Sequence, residues 1–173
     1  MGTIGIVVGN PKPRSRTLEV AGAVATAAAG AAGLTDADRF VVDLADFGPL
    51  LFDWSSSRVK DAVDGIAACP LLIVASPTYK ASYTGLLKSF LDWYSTTGLH
   101  GATVIPVMVG AAPHHALAVE VHLRPVLVEI GATLPTRGLY VTEAQLEELE
   151  DVIGTWLVEA GPRLRAALGV TPP

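Results

Sequence analysis

The sequence predicts an α/β sandwich: a five-stranded parallel sheet of order 2-1-3-4-5 with helices on both faces. Three observations carry this. Strand-length apolar runs alternate with helix-length segments along the chain, a pattern that makes parallel strands joined by right-handed crossovers. The clearest run, Leu71-Leu72-Ile73-Val74-Ala75, is continuously apolar, as a strand covered on both faces must be. Five such units in 173 residues fit one domain and the shorter of the two common doubly wound strand orders.

The elements follow in order. Ile4, Ile6, Val7 and Val8 make the first strand, closed by Gly9. Pro11 and Pro13 forbid helix in the loop from Gly9 to Thr17. An Ala-rich helix with small side chains runs from Thr17 to Gly33, and Phe40 to Leu44 is a second strand. Residues 45–57 read as a long loop carrying Gly48-Pro49 and Ser55-Ser56-Ser57, more often functional or covered than idle at that length. A short helix near Val59 to Ala68 leads to the strand at Leu71, which ends in Ser76-Pro77-Thr78-Tyr79-Lys80. Leu86, Leu87, Phe90, Leu91 and Tyr94 recur at helical spacing between Tyr83 and Tyr94. Thr103 to Val109 is the fourth strand, in which Pro106 removes one ladder donor and demands a local accommodation. A helix over 115–130 is expected to kink at Pro125. Leu134 to Val141 gives the fifth strand, and Glu143 to Leu168 the last helix, with a break expected near Gly161-Pro162.

Half the residues are apolar and only 17% are charged, which excludes a disordered segment. The net charge of −5, with no basic block, argues against a nucleic-acid partner. The single Cys69 excludes an internal disulfide and any all-cysteine zinc site, and packs as a small apolar residue. The opening Met-Gly-Thr-Ile-Gly-Ile-Val-Val has no basic region before its apolar residues, so no signal peptide is expected. No apolar run approaches the roughly 18 residues of a membrane span, so the expectation is a cytoplasmic domain without a membrane partner, covering residues 1–173.

Ligands of such a sheet bind outside the carboxyl ends of the strands at the switch point. Three unusual loops converge there: Gly9 to Thr17, Ser76 to Ser82, and Gly110 to His115. In the first, Asn10, Ser15 and Thr17 offer polar side chains and Lys12, Arg14 and Arg16 offer positive charge, just where a helix presents free N–H groups. A terminal phosphate suits that set; Ser15 and Thr17 equally suit a plain helix cap. Pro77, Thr78 and Tyr79 offer a flat backbone beside an aromatic, suited to a planar ring or to an ordinary turn. Gly110-Ala111-Ala112-Pro113 is small enough to let a ring approach the backbone.

Together these loops resemble the NADPH-dependent FMN reductase family of flavodoxin-like proteins, especially the small reductases that feed reduced FMN to alkanesulfonate-type monooxygenases. The resemblance is carried by Gly9-Asn10-Pro11-Lys12-Pro13-Arg14-Ser15-Arg16-Thr17, by Ser76 through Lys88, most specifically Pro77-Thr78-Tyr79 followed by Gly85-Leu86-Leu87-Lys88, and by Gly110 through Pro125. It implies a flavodoxin-like three-layer sandwich that binds FMN. Asn10, Lys12, Ser15 and Thr17 would hold the phosphate, with Arg16 beside them. Asn10 stands where the family has Ser, and Lys12 where it has Arg, which loses the bidentate fork. Pro77, Thr78, Tyr79, Lys80 and Ser82 would contact the ring, and Gly110 and Ala111 would lie over it. Backbone N–H groups from Thr78 to Lys80 would stabilise negative charge on the ring.

The resemblance further implies NADPH or NADH as hydride donor to flavin N5, a homodimer or tetramer, and a flavin-dependent monooxygenase as partner. Hydride transfer needs no protein acid or base, consistent with a sequence that has no catalytic dyad. Two other readings stay open: a reductase that keeps FMN bound and reduces quinones, azo dyes or metal ions, and a non-enzymatic flavodoxin-like carrier. His114, His115 and His122 give no consistent metal-ligand face, and the His pair lines the cofactor mouth or begins the helix. Trp54 either covers a flavin or closes the core edge, whereas Trp93 and Trp156 read as packing residues. Leu117, Val119, Val121, Leu123, Val126, Leu127 and Ile130 are apolar around too much of one helix for a single sheet face, which points to an oligomer interface or to deep burial in one monomer.

Overall fold

The structure, a computed structural model, describes residues 2–170; residues 1 and 171–173 of the expected domain lie outside the described residues. Strands β1 (Ile4–Val8), β2 (Arg39–Asp43), β3 (Leu71–Pro77), β4 (Thr103–Gly110) and β5 (Leu139–Thr142) form one sheet in the order β2-β1-β3-β4-β5, every neighbour parallel. Helices α1 (Arg16–Ala32), α2 (Ser57–Ala67), α3 (Gly85–Leu91), α4 (Arg124–Glu129) and α5 (Leu149–Ala167) connect and follow them. Alternate residues of β1 face opposite ways. Ile4, Ile6 and Val8 pack with Val20, Val24 and Ala28 of α1 and with α5, whereas Val7 packs with α2, α3 and α4. Alanines along the buried face of α1 let it sit close to both sheet and α5. Among the described residues no helix is long and apolar enough to cross a membrane.

Several boundaries depart from the pattern read in the sequence. The expected fifth strand from Leu134 shortens to β5, and Pro106 supplies the reason. Even-numbered residues of β4 turn their N–H toward the β5 side, as Val104 does in bonding Thr133 at 2.8 Å. Pro106 has no donor to give there, so the chain leaves the sheet over 134–138 and pairs again from Val107 and Leu139. The expected helix over 115–130 is a 3-10 turn (Pro113–His115), a π-helical turn (Val119–Leu123) and then α4. The wide turn takes up the missing donor of Pro125, which would otherwise drive its ring into the carbonyl one turn back. The helix expected from Tyr83 to Tyr94 is regular only over α3. The last helix opens with 3-10 geometry over Glu143–Glu148, and α5 then continues through Pro162 without the expected break. Val158, whose carbonyl loses its partner to that proline, is exposed to water. The loop 45–57 contains two 3-10 turns, Leu44–Asp46 and Gly48–Phe52.

The segment 134–138 is clamped from the π-helical turn and the start of α4. Arg124 donates to Glu120 at 2.6 Å, to the Leu134 carbonyl at 3.1 Å and to the Thr136 carbonyl, while Glu120 accepts the Gly138 N–H at 2.6 Å. Partial burial pushes the Glu120 carboxyl up, but the hydrogen bonds from Arg124 and Gly138 outweigh it and hold the group below the ordinary 4.5. A depressed carboxyl stabilises the fold above its ordinary value, and that contribution disappears as pH falls through the folded value. Urea midpoints measured at about pH 6 and about pH 4 should therefore show a steeper acid loss in the wild type than in Glu120→Gln. Equal losses would remove Glu120 from the acid response.

Candidate functional site

The carboxyl ends of β1, β3 and β4 open into a cleft of about 300 Å³. Ten residues expected from the sequence line it: Asn10, Lys12, Ser15, Arg16, Thr17, Pro77, Thr78, Tyr79, Gly110 and Ala111. Arg14, Glu19, Val109 and Glu143 join them. Lys80 and Ser82 do not line it. They belong to a two-residue hairpin in which the Tyr79 N–H donates to the Ser82 carbonyl at 2.8 Å and the Ser82 N–H returns the bond at 3.2 Å. Lys80 and Ala81 at its tip have φ of 51° and 65°, unusual for side-chain-bearing residues. The turn holds Lys80 out in solvent and leaves Tyr79 at the cleft mouth, half exposed.

One end of the cleft gathers positive charge and hydrogen-bond donors. Ser15 caps α1, its Oγ accepting the Leu18 N–H at 3.3 Å, so the first-turn N–H groups of Arg16 and Thr17 face the loop. Asn10 is almost wholly buried and is engaged inside the loop. Its Oδ1 accepts the Lys12 N–H at 2.9 Å and its Nδ2 donates to Thr17 Oγ1 at 3.0 Å. This bond leaves the Thr17 hydroxyl proton free to donate, so the bulkier Asn10 acts as a brace that aims Thr17. Arg14 is held at φ 50°, and Arg16 reaches across the mouth to Glu143 at 3.0 Å.

The other end is a flat wall. A Cβ on Gly110 would stand 2.0 Å from the Tyr140 hydroxyl, itself donating to the Ala112 carbonyl at 2.9 Å, and 3.1 Å from Thr78 Oγ1. That Thr78 oxygen is buried and has no hydrogen-bond partner among the described residues. The Thr78 N–H, by contrast, is spent on the Val109 carbonyl at 2.7 Å, and Tyr79 is spent on its turn. Of the N–H groups expected to meet a ring from Thr78 to Lys80, two are therefore tied into the chain. Cations and hydrogen-bond donors at one end, and at the other a close-packed wall with an orphan hydroxyl beside Gly110, are the complement of a planar molecule with a phosphate tail, the shape of FMN.

Two buried residues that join the loops escaped the sequence reading as site residues. Thr84 caps α3 through the Leu87 N–H at 3.1 Å and donates to the Gly9 carbonyl at 2.5 Å. Ser76 Oγ accepts the Thr84 N–H at 3.0 Å and donates to the Pro77 carbonyl at 2.9 Å. Gly9 has no room for a side chain, because a Cβ would lie 2.5 Å from that of Leu87. The only sequence signal was a Ser and a Thr near strand and helix ends, a pattern shared by ordinary caps.

Other candidate residues fall elsewhere. His114 and His115 form the turn after β4 with ring centroids 4.0 Å apart, outside the cleft lining. Trp54 lies outside the cleft too: it is exposed and stacks on Trp93 at 4.7 Å, while Trp93 donates to the Leu51 carbonyl. Trp156 packs against the α1–α5 core and donates to the Arg137 carbonyl. Arg137 therefore belongs to the entry of β5, at the opposite end of that strand from the cleft. Cys69 is buried, and its burial pushes the thiol up.

Known proteins resemble this chain in sequence and in fold. Residues 3–146 match the family model described as NADPH-dependent FMN reductase. The chain is 32% identical to an FMN reductase (NADPH) of Escherichia coli (strain K12) over 64% of its own length and 60% of that protein's. It is 34% identical to an NADH-dependent FMN reductase of Pseudomonas putida over 62% of its own length and 64% of that protein's. The chain thus spans about three-fifths of the length of these curated relatives. In the solved apo form of an NADH:FMN oxidoreductase (EMOB) the likeness covers 99% of this chain and 92% of that one, at TM-score 0.85 and 31% identity. With the family match extending over most of its length and through every loop of the cleft, the chain belongs to the NADPH-dependent FMN reductase family.

Proposed function

We propose that the chain is an NAD(P)H-dependent FMN reductase, with the cleft at the ends of β1, β3 and β4 as its flavin site. The observation that carries this is the pairing of a phosphate-type end (Lys12, Ser15, Arg16 and Thr17) with a flat wall (Pro77, Thr78, Tyr79, Gly110 and Ala111) in one cleft. FMN supplies the chemistry by accepting hydride at N5. Lys12, Ser15, Arg16 and Thr17 would hold the tail, and Pro77, Thr78, Tyr79, Gly110 and Ala111 would support the ring. The reaction requires no protein acid or base, and the carboxylates that line the cleft, Glu19 and Glu143, both lie at its charged end.

In this reading the product serves a flavin-dependent monooxygenase. The protein acts as a homodimer or tetramer, a reading supported by Leu117, Val121 and Val128, which stay exposed around the π-helical turn and α4.

The test follows loss of near-UV nicotinamide absorbance with NADPH or NADH as FMN is added. Oxidation that rises and saturates with FMN is expected. Oxidation seen only with a quinone or dye, on protein that stays yellow, would replace this reading with the bound-flavin reductase. A folded protein that oxidises neither nucleotide under any condition would overturn both enzyme readings.

A further inference from the structure

Granting the flavin reading above, we infer that Glu143 sets how firmly the phosphate tail is held, by competing with it for the Arg16 guanidinium. Glu143 is the first residue after β5. Its backbone is fixed by Gln145, whose Oε1 accepts the Thr142 N–H at 3.0 Å and the Thr142 hydroxyl at 2.9 Å. From that anchored start its carboxylate crosses the cleft mouth and pairs with Arg16 Nη2 at 3.0 Å. Both side chains line the cleft, and both are about half exposed, so water and salt weaken the pair.

A phosphate dianion is the stronger partner for a guanidinium, because it carries more negative charge than a carboxylate. Arrival of the tail therefore draws Arg16 off Glu143. The freed carboxylate stays beside the site and keeps pulling Arg16 back. Facing the same end are the cations Lys12 and Arg14 and the acid Glu19, so Glu143 reduces a small positive excess rather than cancelling a large one. The consequence is a tail held loosely enough to exchange, which suits FMN as a passing substrate. Riboflavin, lacking the phosphate, takes nothing from Arg16 and so should not sense Glu143.

The experiment measures dissociation constants for FMN and riboflavin by flavin fluorescence quenching, on wild type, Glu143→Gln, Arg16→Ala and the double variant. Glu143→Gln should tighten FMN by about three- to tenfold, a gain comparable to that of one partly screened charge contact. Its riboflavin constant should stay within about twofold. With Arg16→Ala already in place, Glu143→Gln should change the FMN constant by less than about twofold, since the contested group is gone. Unchanged FMN binding in Glu143→Gln overturns the inference. So does equal tightening with Arg16 removed, which would show plain repulsion, and so does a matching shift for riboflavin. Wild-type protein that is folded by circular dichroism yet binds neither flavin overturns the flavin reading itself, a result distinct from all three.

Discussion

Gly110→Ala should lower stability by about 1–3 kcal/mol and weaken FMN binding at least tenfold. The added Cβ would stand 2.0 Å from the Tyr140 hydroxyl and 2.9 Å from its Cζ. No flexible chain end is there to yield. The Tyr140 ring is packed against the core on the α4 side and tethered to the Ala112 carbonyl. Turning it aside gives up that hydrogen bond, about 1 kcal/mol, and overpacks the wall besides. The displaced ring, or the methyl itself, then occupies the surface on which a flavin ring would lie. Urea denaturation and FMN titration of the same sample separate the two effects, and about 1.4 kcal/mol of lost binding corresponds to the tenfold change. Introducing Tyr140→Phe into Gly110→Ala removes the closest clash and should restore part of the stability. Unaltered stability together with unaltered FMN affinity would show that Gly110 forms no part of the ring wall.

Removing both hydroxyls of the tail end, as Ser15→Ala with Thr17→Ala, should cost about 1–3 kcal/mol of FMN affinity through lost charge-assisted hydrogen bonds. Ser15 has a second duty as the cap of α1, so Ser15→Ala also removes about 0.5–2 kcal/mol of stability. Ser15→Gly separates the roles, since glycine at a cap costs only a few tenths of a kcal/mol while still deleting the hydroxyl. Thr17 is buried and accepts from Asn10, so its loss also strips a partner from a nearly inaccessible amide. Riboflavin affinity, measured alongside, should hardly move. If FMN affinity is unchanged in the double variant, the phosphate binds elsewhere.

The alternation of elements and the strand order were legible in local pattern, because a strand buried on both faces must be continuously apolar and a covering helix must carry a stripe. β1 and the start of β3 sit where their apolar runs put them. The cleft was legible too. Backbone rules place three loops at one sheet edge, and the unusual composition of those loops supplied ten of its residues. Pro106 and Pro125 announced local accommodations, but their form was not readable. Whether a missing donor ends in a strand break or a π turn depends on which neighbour lies on that side.

What tertiary packing alone decided are the pairings between residues distant in the chain. Thr84 meets the Gly9 carbonyl, Tyr140 seals Gly110, and Arg16 meets Glu143 only because the folded sheet carries β5 back beside the start of α1. Asn10 could be counted as a polar group in the loop, but its role as a brace depends on Thr17 turning back to meet it. Residue type and spacing specify which groups are available along the chain. Which atom each one faces is a property of three-dimensional distance, and a single chain's sequence carries that only through the fold.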